Sequence, residues 1–141
     1  MPLCLCGEKQ LKMKKEEYNR LSKEILDSAI TVHKEMGPGL LESVYEYCLI
    51  AELRSRGIKA EGQVYLPLYY KGEELNKDFR MDILVEDEII IEIKAKDMLL
   101  PVHEAQIISY LKLADKWLGL LINFNVVLLK DGFKRFVNGY L

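Results

Sequence analysis

Two runs of alternating apolar and polar residues, 76–85 and 88–96, constrain this chain more than any other feature. Alternation is typical of β-strands, and the short acidic turn between the runs predicts a hairpin. One face of each strand is apolar: Phe79, Met81, Ile83 and Val85 on the first, and Ile89, Ile91, Ile93 and Ala95 on the second. Because successive side chains point to opposite faces, the apolar faces coincide only when Val85 pairs with Ile89.

The predicted register places two carboxylates opposite each other. Its further opposed pairs are Met81 with Ile93, Asp82 with Glu92 and Arg80 with Lys94. Carboxylates with Cβ atoms roughly 5 Å apart repel each other, so this pair needs compensation. Mg²⁺ would provide it, because one or two carboxylates plus a substrate phosphate commonly bind this ion. Lys94, about 6.6 Å beyond Glu92 along the strand, can reach a metal-bound water or the phosphoryl oxygens, which predicts a phosphodiesterase site.

A solvated polar face is the alternative interpretation of the same residues. Glu92, Lys94 and Lys96 would then face water, and the opposite charges would compensate one another diagonally across the strands. This alternative is favoured for an isolated hairpin, but here a helix and an apolar strand follow. A strand continued by a crossover helix usually lies inside a sheet with both faces covered, where charges require a reason.

The segments around the hairpin predict an α/β chain with the element order ααβββαββ. Apolar residues at helical spacing begin at Leu21 and end at Gly37-Pro38-Gly39, and a second helix follows as far as Gly57. A strand precedes the hairpin over 64–70. The remaining elements are a helix from Pro101 to about Ala114, a hydrophobic strand over 117–124 and a last pair of strands around 126–129 and 133–137.

Two helices carry polar pairs that can converge on the hairpin. Glu42 and Tyr45 share a face of the second helix, and Gln106 and Tyr110 share a face of the later one. Each pair has an ordinary structural interpretation, since a glutamate in a first turn is favoured by the helix dipole. His103 begins the helix that carries Gln106, and such a residue is more often a surface or capping residue than a ligand.

Taken together, these residues resemble the PD-(D/E)xK nuclease superfamily, and Gly39-x-x-Glu42-x-x-Tyr45 resembles the GxxExxY protein family within it. The order of the motifs carries the resemblance, which spans roughly residues 21–137. A glutamate lies on the early helix, an aspartate on the second strand, Glu-x-Lys on the third, and Gln-x-x-x-Tyr on the following helix. One departure from the pattern is that Met81, rather than proline, precedes the aspartate.

The resemblance implies a restriction-endonuclease-like fold, with a three-layer α/β/α core around a central mixed β-sheet. Asp82 and Glu92 match the residues of the superfamily that bind Mg²⁺, for which Mn²⁺ is a substitute. Lys94 matches the catalytic lysine, while Glu42 and Gln106 match residues that support the site. The expected function is a Mg²⁺-dependent nuclease-like phosphodiesterase that acts on nucleic acid, either DNA or RNA.

Charge limits how this chain can hold a nucleic acid. It contains 20 Lys and Arg against 22 Asp and Glu, for a net charge of −2, which excludes an overall basic surface but not a local basic patch. Phosphate contacts need Lys and Arg on one surface, and the candidates here are few and interleaved with acids. The chain is also small, so we expect a homodimer or a protein partner to complete the binding surface.

Other features bear on location and on the domain boundaries. No stretch approaches the ~20 consecutive apolar residues of a membrane span, and the odd number of cysteines, 3, favours a reducing cytoplasm. Residues 1–20 are expected to form a flexible N-terminal extension, and residues 21–141 a single nuclease-like domain.

A non-catalytic interaction module that keeps the nuclease-like fold is the alternative function. Tyr65, Tyr69, Tyr70 and Phe79 would then belong to a protein-binding edge, because tyrosine is enriched at interfaces. The presence of both acids and the lysine favours the enzyme, since drift would tend to erase one of the three.

Overall fold

The predicted order of helices and strands is confirmed. A computed structural model of the chain describes residues 13–139, apart from the side chains of 76–78, and residues 1–12 of the predicted extension lie outside the described part. The helices are α1 (Lys15–Met36), α2 (Glu42–Ser55) and α3 (Pro101–Leu113). The strands are β1 (Ala60–Tyr70), β2 (Glu73–Val85), β3 (Ile89–Lys94), β4 (Leu118–Asn123) and β5 (Phe133–Val137). The strand predicted around 126–129 is wrong, because bends and a 3₁₀ turn, Leu129–Gly132, connect β4 to β5 there.

Helix α1 begins earlier than the predicted domain boundary at Leu21. Its first residue is Lys15, and Tyr18, within the predicted extension, is fully buried. The Tyr18 hydroxyl donates a hydrogen bond of 2.9 Å to Oε1 of Glu88. Residues three apart share a helix face, so Tyr18 and Leu21 lie on one face and Tyr18 extends the buried face of α1 by one turn. Charged residues precede Tyr18, so the helical spacing of apolar residues was not visible there in the sequence.

The five strands form one mixed sheet in the order β1-β2-β3-β4-β5. All neighbouring strands are antiparallel except β3 and β4, which are parallel. Parallel neighbours need a crossover connection, and α3 provides it. Strand β3, the strand predicted to carry the glutamate and the lysine, is therefore the central strand of the sheet.

Helices cover both faces of the sheet. Helices α1 and α2 contribute to one apolar cluster that includes Leu21, Ile25, Leu49 and Leu53 together with Ile83, Ile89, Ile91 and Ile93 of the sheet. On the other face, Leu111 of α3 packs with Met81, Leu84 and Ile90. Gly119 of β4 lets α3 approach closely, since a Cβ there would lie 3.0 Å from Ile107. The result is the predicted three-layer α/β/α core.

The predicted hairpin register is confirmed next to the turn and wrong beyond it. Val85 pairs with Ile89, and Ile83 pairs with Ile91, where the pairing of β2 with β3 ends. The expected pairs beyond this point are not formed: Met81 with Ile93, Asp82 with Glu92 and Arg80 with Lys94. The two strands therefore separate at the position of the predicted acidic pair.

Strand β2 changes faces at Asp82. Met81 packs against Leu111 on the α3 side, whereas Ile83 belongs to the cluster under α1 and α2. Residues two apart share a face in a regular strand, so the prediction that Met81 lies on the face of Ile83 was wrong. At the same level of β1, Gln63 stands between two regular pairs and has a positive φ of 52°. This irregularity lets Asp82 turn its carboxylate toward β3.

Candidate active site

Asp82 lies where β2 and β3 separate. Its Oδ2 accepts a hydrogen bond of 2.8 Å from the backbone N–H of Ile93. Burial raises the pKa of Asp82 above its ordinary value, while the Ile93 hydrogen bond and the charge of Lys94 oppose the rise. The carboxylate thus replaces a backbone partner of β3 and is held beside the strand that carries the other predicted site residues.

Glu92 on β3 is the most strongly perturbed carboxyl of the site. Its Oε1 is buried and has no hydrogen-bond partner among the described residues. Burial, followed by the negative charge of Asp82, raises the pKa of Glu92 to about 8. A solvated face is therefore wrong for Glu92, although Lys96 is exposed as that interpretation expected.

Lys94 and Glu92 open onto a pocket of about 110 Å³ between the sheet and α3. Gln106 and Tyr110 line the same pocket, so the shared helix face predicted for them is confirmed. Phe79 of β2 stacks on Tyr110 with ring centroids 3.4 Å apart. The pocket therefore combines an apolar wall with a carboxylate, an ammonium and an amide.

Glu42, the first residue of α2, reaches β3 from the opposite face of the sheet. Its Oε2 accepts a hydrogen bond of 3.2 Å from the backbone N–H of Ala95, next to Lys94. The negative charge of Glu42 also raises the pKa values of Asp82 and Glu92. Glu42 thus does more than interact with the helix dipole, and it joins the site through the end of β3.

Tyr45 fixes the segment that places Glu42. It is fully buried, and its hydroxyl donates to the carbonyl of Gly37 at 2.5 Å and accepts from the backbone N–H of Leu40 at 3.1 Å. Gly39, between these two contacts, has a φ of +93°, which glycine adopts without steric cost. The connection between α1 and α2 is therefore anchored at the first turn of α2.

A family model described as the PD-(D/E)XK nuclease superfamily matches residues 19–136, most of the chain. The chain belongs to that superfamily. The solved crystal structure of SSO0001 resembles it with a TM-score of 0.48 and 23% sequence identity, over 89% of this chain and 61% of that one. This chain thus spans about 61% of the length of that protein. No curated protein matches the chain significantly.

PD-(D/E)XK nucleases generally use divalent metal ions, and the residues present fit such an ion. The buried, unpartnered Oε1 of Glu92 and the nearby charge of Asp82 call for a cation. Among the described side chains, no three His, Cys, Asp or Glu are arranged to hold a metal. The carboxylates that fit such an ion are therefore the pair of Asp82 and Glu92, which would leave positions on the ion for waters or phosphate oxygens.

Glu46 lies close enough to Asp82 for their charges to interact, and the sequence did not single it out. Both of its carboxylate oxygens accept hydrogen bonds from Nε2 of Gln63, at 2.7 and 2.8 Å. Burial raises the pKa of Glu46, the Gln63 hydrogen bond opposes the rise, and the charge of Asp82 adds to it. Its spacing of one helical turn after Glu42 was the signal that could have identified it.

Asn123 at the end of β4 was missed as well. Its buried amide accepts from the backbone N–H of Lys96 at 3.0 Å and donates to the carbonyl of Lys96 at 2.9 Å. These two bonds continue the pairing of β3 and β4 past Lys94. A polar residue inside the otherwise apolar strand predicted over 117–124 was its only signal in the sequence.

None of the helices described within residues 13–139 has the length and apolar character that a membrane crossing requires.

Proposed function

We propose that the chain is a divalent-metal-dependent nuclease that hydrolyses phosphodiester bonds of DNA or RNA, with Mg²⁺ as its ion and Mn²⁺ as a substitute. The observation that carries this proposal is the buried Oε1 of Glu92, which has no partner among the described residues. Buried polar atoms are normally hydrogen-bonded, so this oxygen must either carry a proton or, once ionised, face a cation. Burial and the charge of Asp82 raise the pKa of Glu92 to about 8, so its ionised form is disfavoured without a further compensating positive charge.

Each side chain of the site has a role in this reaction. A bound ion would lower the pKa of its water and polarise the phosphate. The ammonium of Lys94 would stabilise the charge that develops on the phosphoryl oxygens and orient the nucleophile. Gln106, which lines the pocket with Lys94, would position the phosphate or the attacking water. Glu42 would hold the end of β3, and therefore Lys94, through its bond to Ala95.

We also assign the chain to the GxxExxY group within the superfamily. The three residues of the motif have separate and complementary tasks in this structure. Gly39 adopts a positive φ, Tyr45 anchors the connection before α2, and Glu42 binds the backbone at Ala95. The three residues of the motif thus act together to attach the start of α2 to the end of the central strand.

Nucleic acid binding would require more than one copy of this chain or a protein partner. The net charge of −2 and the local acidic pair support this, because phosphate binding depends on concentrated positive charge. We place the protein in the cytoplasm, on the basis of its odd number of cysteines.

The alternative, a non-catalytic interaction module, has weaker support. Tyr65, Tyr69 and Tyr70 are exposed on β1, an edge strand of the sheet. Phe79, which was expected to join them, instead stacks on Tyr110 inside the pocket. The carboxylate pair and lysine around that pocket favour the enzyme.

Metal binding tests the proposal directly. Isothermal titration calorimetry with Mn²⁺ should detect binding by the wild-type chain and a strong loss in Asp82→Asn and Glu92→Gln. Glu74→Gln is the matched control, because Glu74 is an exposed carboxylate at the opposite end of β2. Binding of Mn²⁺ by both site variants at the wild-type affinity would refute the metal assignment.

Cleavage tests the reaction itself. Single-stranded, double-stranded and branched DNA and RNA should be assayed with Mg²⁺ and Mn²⁺. We expect Lys94→Ala to lower the rate by about 10²-fold, the effect of removing a group that stabilises developing charge. Lys23→Ala, which removes an exposed lysine of α1, should cleave at the wild-type rate. Equal rates for wild type and Lys94→Ala would indicate a contaminating nuclease.

A further inference from the structure

The pocket beside Lys94 contains one more polar group, the imidazole of His103. His103 is the third residue of α3 and closes the start of that helix in two ways. Its Nδ1 accepts a hydrogen bond of 3.0 Å from the backbone N–H of Leu100, and its own backbone N–H donates to the carbonyl of Leu100 at 2.9 Å. The expectation that His103 is a capping residue is therefore correct, but the cap occupies only one of the two ring nitrogens.

The capping bond fixes the tautomer of the ring. A backbone N–H can only donate, so Nδ1 of His103 must be the acceptor. In the neutral ring the proton is then on Nε2, which becomes a hydrogen-bond donor. Nε2 has no hydrogen-bond partner among the described residues, and His103 lines the same pocket as Lys94.

The groups of the pocket form a complementary set. Lys94 supplies a positive charge, while Gln106 and Tyr110 supply neutral polar groups. Glu92, on the sheet side, is the proposed metal ligand. A phosphate held between a metal at Glu92 and the ammonium of Lys94 would have oxygens free to contact α3, where His103 lies in the first turn.

We propose that His103 is a substrate-binding residue, whose Nε2–H donates a hydrogen bond to a non-bridging oxygen of the phosphodiester bound in this pocket. The proposal rests on the proposed nuclease function, since it assumes that a phosphodiester occupies the pocket. It assigns two tasks to one imidazole: Nδ1 orders the first turn of α3, and Nε2 contacts the substrate.

Nuclear magnetic resonance of the histidine rings tests the proposal with a built-in control. The chain has 2 histidines, and the other, His33, places Nε2 at 2.8 Å from the carbonyl of Val126, away from the pocket. The probe is the dinucleotide thymidylyl-thymidine, whose only charged group is one phosphodiester. With Mg²⁺ present, we expect both rings to show the Nε2–H tautomer and only the His103 resonances to shift on titration.

Two variants separate substrate contact from capping. His103→Glu keeps an acceptor for the Leu100 N–H, because glutamate is the usual residue at this position of a capping box, but it removes the donor. Ala105→Glu adds the same charge at an exposed position of the same helix turn that does not line the pocket. His103→Glu should bind the dinucleotide about tenfold more weakly than Ala105→Glu, which corresponds to about 1.4 kcal/mol.

Each result decides between the two proposals. The role of His103 would be overturned by any of three results. These are an Nδ1–H tautomer, His103 resonances that do not shift on titration, and equal affinities of the two glutamate variants for the dinucleotide. Mn²⁺ calorimetry on the same sample reads the proposed function separately. If the His103 resonances shift but no metal binds, the metal assignment alone is overturned. If metal binds but the His103 resonances do not shift, the histidine contact alone is overturned.

Discussion

Tyr45 stacks on Phe124 with ring centroids 4.4 Å apart and ring planes 7° apart. The backbone N–H of Phe124 in turn donates to the carbonyl of Lys94 at 2.9 Å. Stacked aromatic pairs add to the stability that their burial provides. One ring contact therefore joins the start of α2 to the segment that follows β4 and, through it, to the proposed catalytic lysine.

Tyr45→Phe should destabilise the protein while keeping this stack. The variant removes the hydrogen bonds with the Leu40 N–H and the Gly37 carbonyl, at a net cost of about 0.5–1.5 kcal/mol for each bond. Urea denaturation should show this as a lower free energy of unfolding. Tyr47→Phe, at an exposed position of the same helix, should leave the unfolding midpoint unchanged. A Tyr45→Phe variant as stable as Tyr47→Phe would show that the hydroxyl contacts contribute nothing.

Without divalent metal, the protein should lose stability as the pH rises. The pKa of Glu92 is raised from 4.5 to about 8, so the folded state binds the proton more tightly than the unfolded state does. The stabilisation that comes from this tighter proton binding is complete below pH 4.5 and is lost as the pH rises through about 8. Its size is about 1.4 kcal/mol for each unit by which folding raises the pKa. Asp82, whose pKa is also raised, acts in the same direction.

Glu92→Gln checks this pH dependence, because glutamine keeps the shape of the side chain and does not ionise. Urea denaturation in EDTA at pH 4.5 and pH 8 should show a much smaller loss for the variant than for the wild-type chain. The same slope in both proteins would show that Glu92 ionises normally in the folded state.

Mn²⁺ should stabilise the protein more strongly at pH 8 than at pH 6. A metal ion needs the deprotonated carboxylates, and the raised pKa of Glu92, about 8, makes protons competitors of the metal. Thermal unfolding with and without Mn²⁺ at the two pH values measures this difference. Asp82→Asn should lose the stabilisation at both pH values, and a metal effect independent of pH would exclude Glu92 as a ligand.

Asn123→Ala should destabilise the protein and loosen the end of β3. The variant removes both hydrogen bonds between the Asn123 amide and the backbone of Lys96, at a net cost of about 1–3 kcal/mol. Hydrogen exchange at the Lys96 amide should become faster than in the wild-type chain. Asn125→Ala, which removes only the exposed contact with Asp97, is the control and should leave that exchange rate unchanged.

The sequence alone predicted the order of the elements and part of the site. Alternation between residues 79 and 95 predicted the pairing of Val85 with Ile89, because burying both apolar faces leaves one register. Helical spacing predicted that Gln106 and Tyr110 share a face, and both line the pocket with Lys94. These features depend on local periodicity, which is directly visible in the residues.

The separation of the strands at Asp82 could not be predicted in this way. Residues 79–83 alternate regularly between apolar and polar, so nothing between Met81 and Ile83 marks the change of face. The change depends on partners far along the chain, with Met81 packed against Leu111 and the Asp82 carboxylate bonded to Ile93. Long-range packing therefore determines whether Met81 lies on the face of Ile83 or on the α3 side, which the local pattern does not distinguish.

The central position of β3 separates residues that tolerate little substitution from residues at the edges of the sheet that can vary. Glu92 and Lys94 stand on the middle strand of five, paired with β4 on one side and next to the Asp82 carboxylate on the other, with a helix layer on each face. Side chains in such a position tolerate little change, whereas β1 and the exposed surface of α3 are free to vary. Changing which nucleic acid the proposed nuclease accepts would therefore mean keeping the middle of the sheet intact and varying residues at its edges.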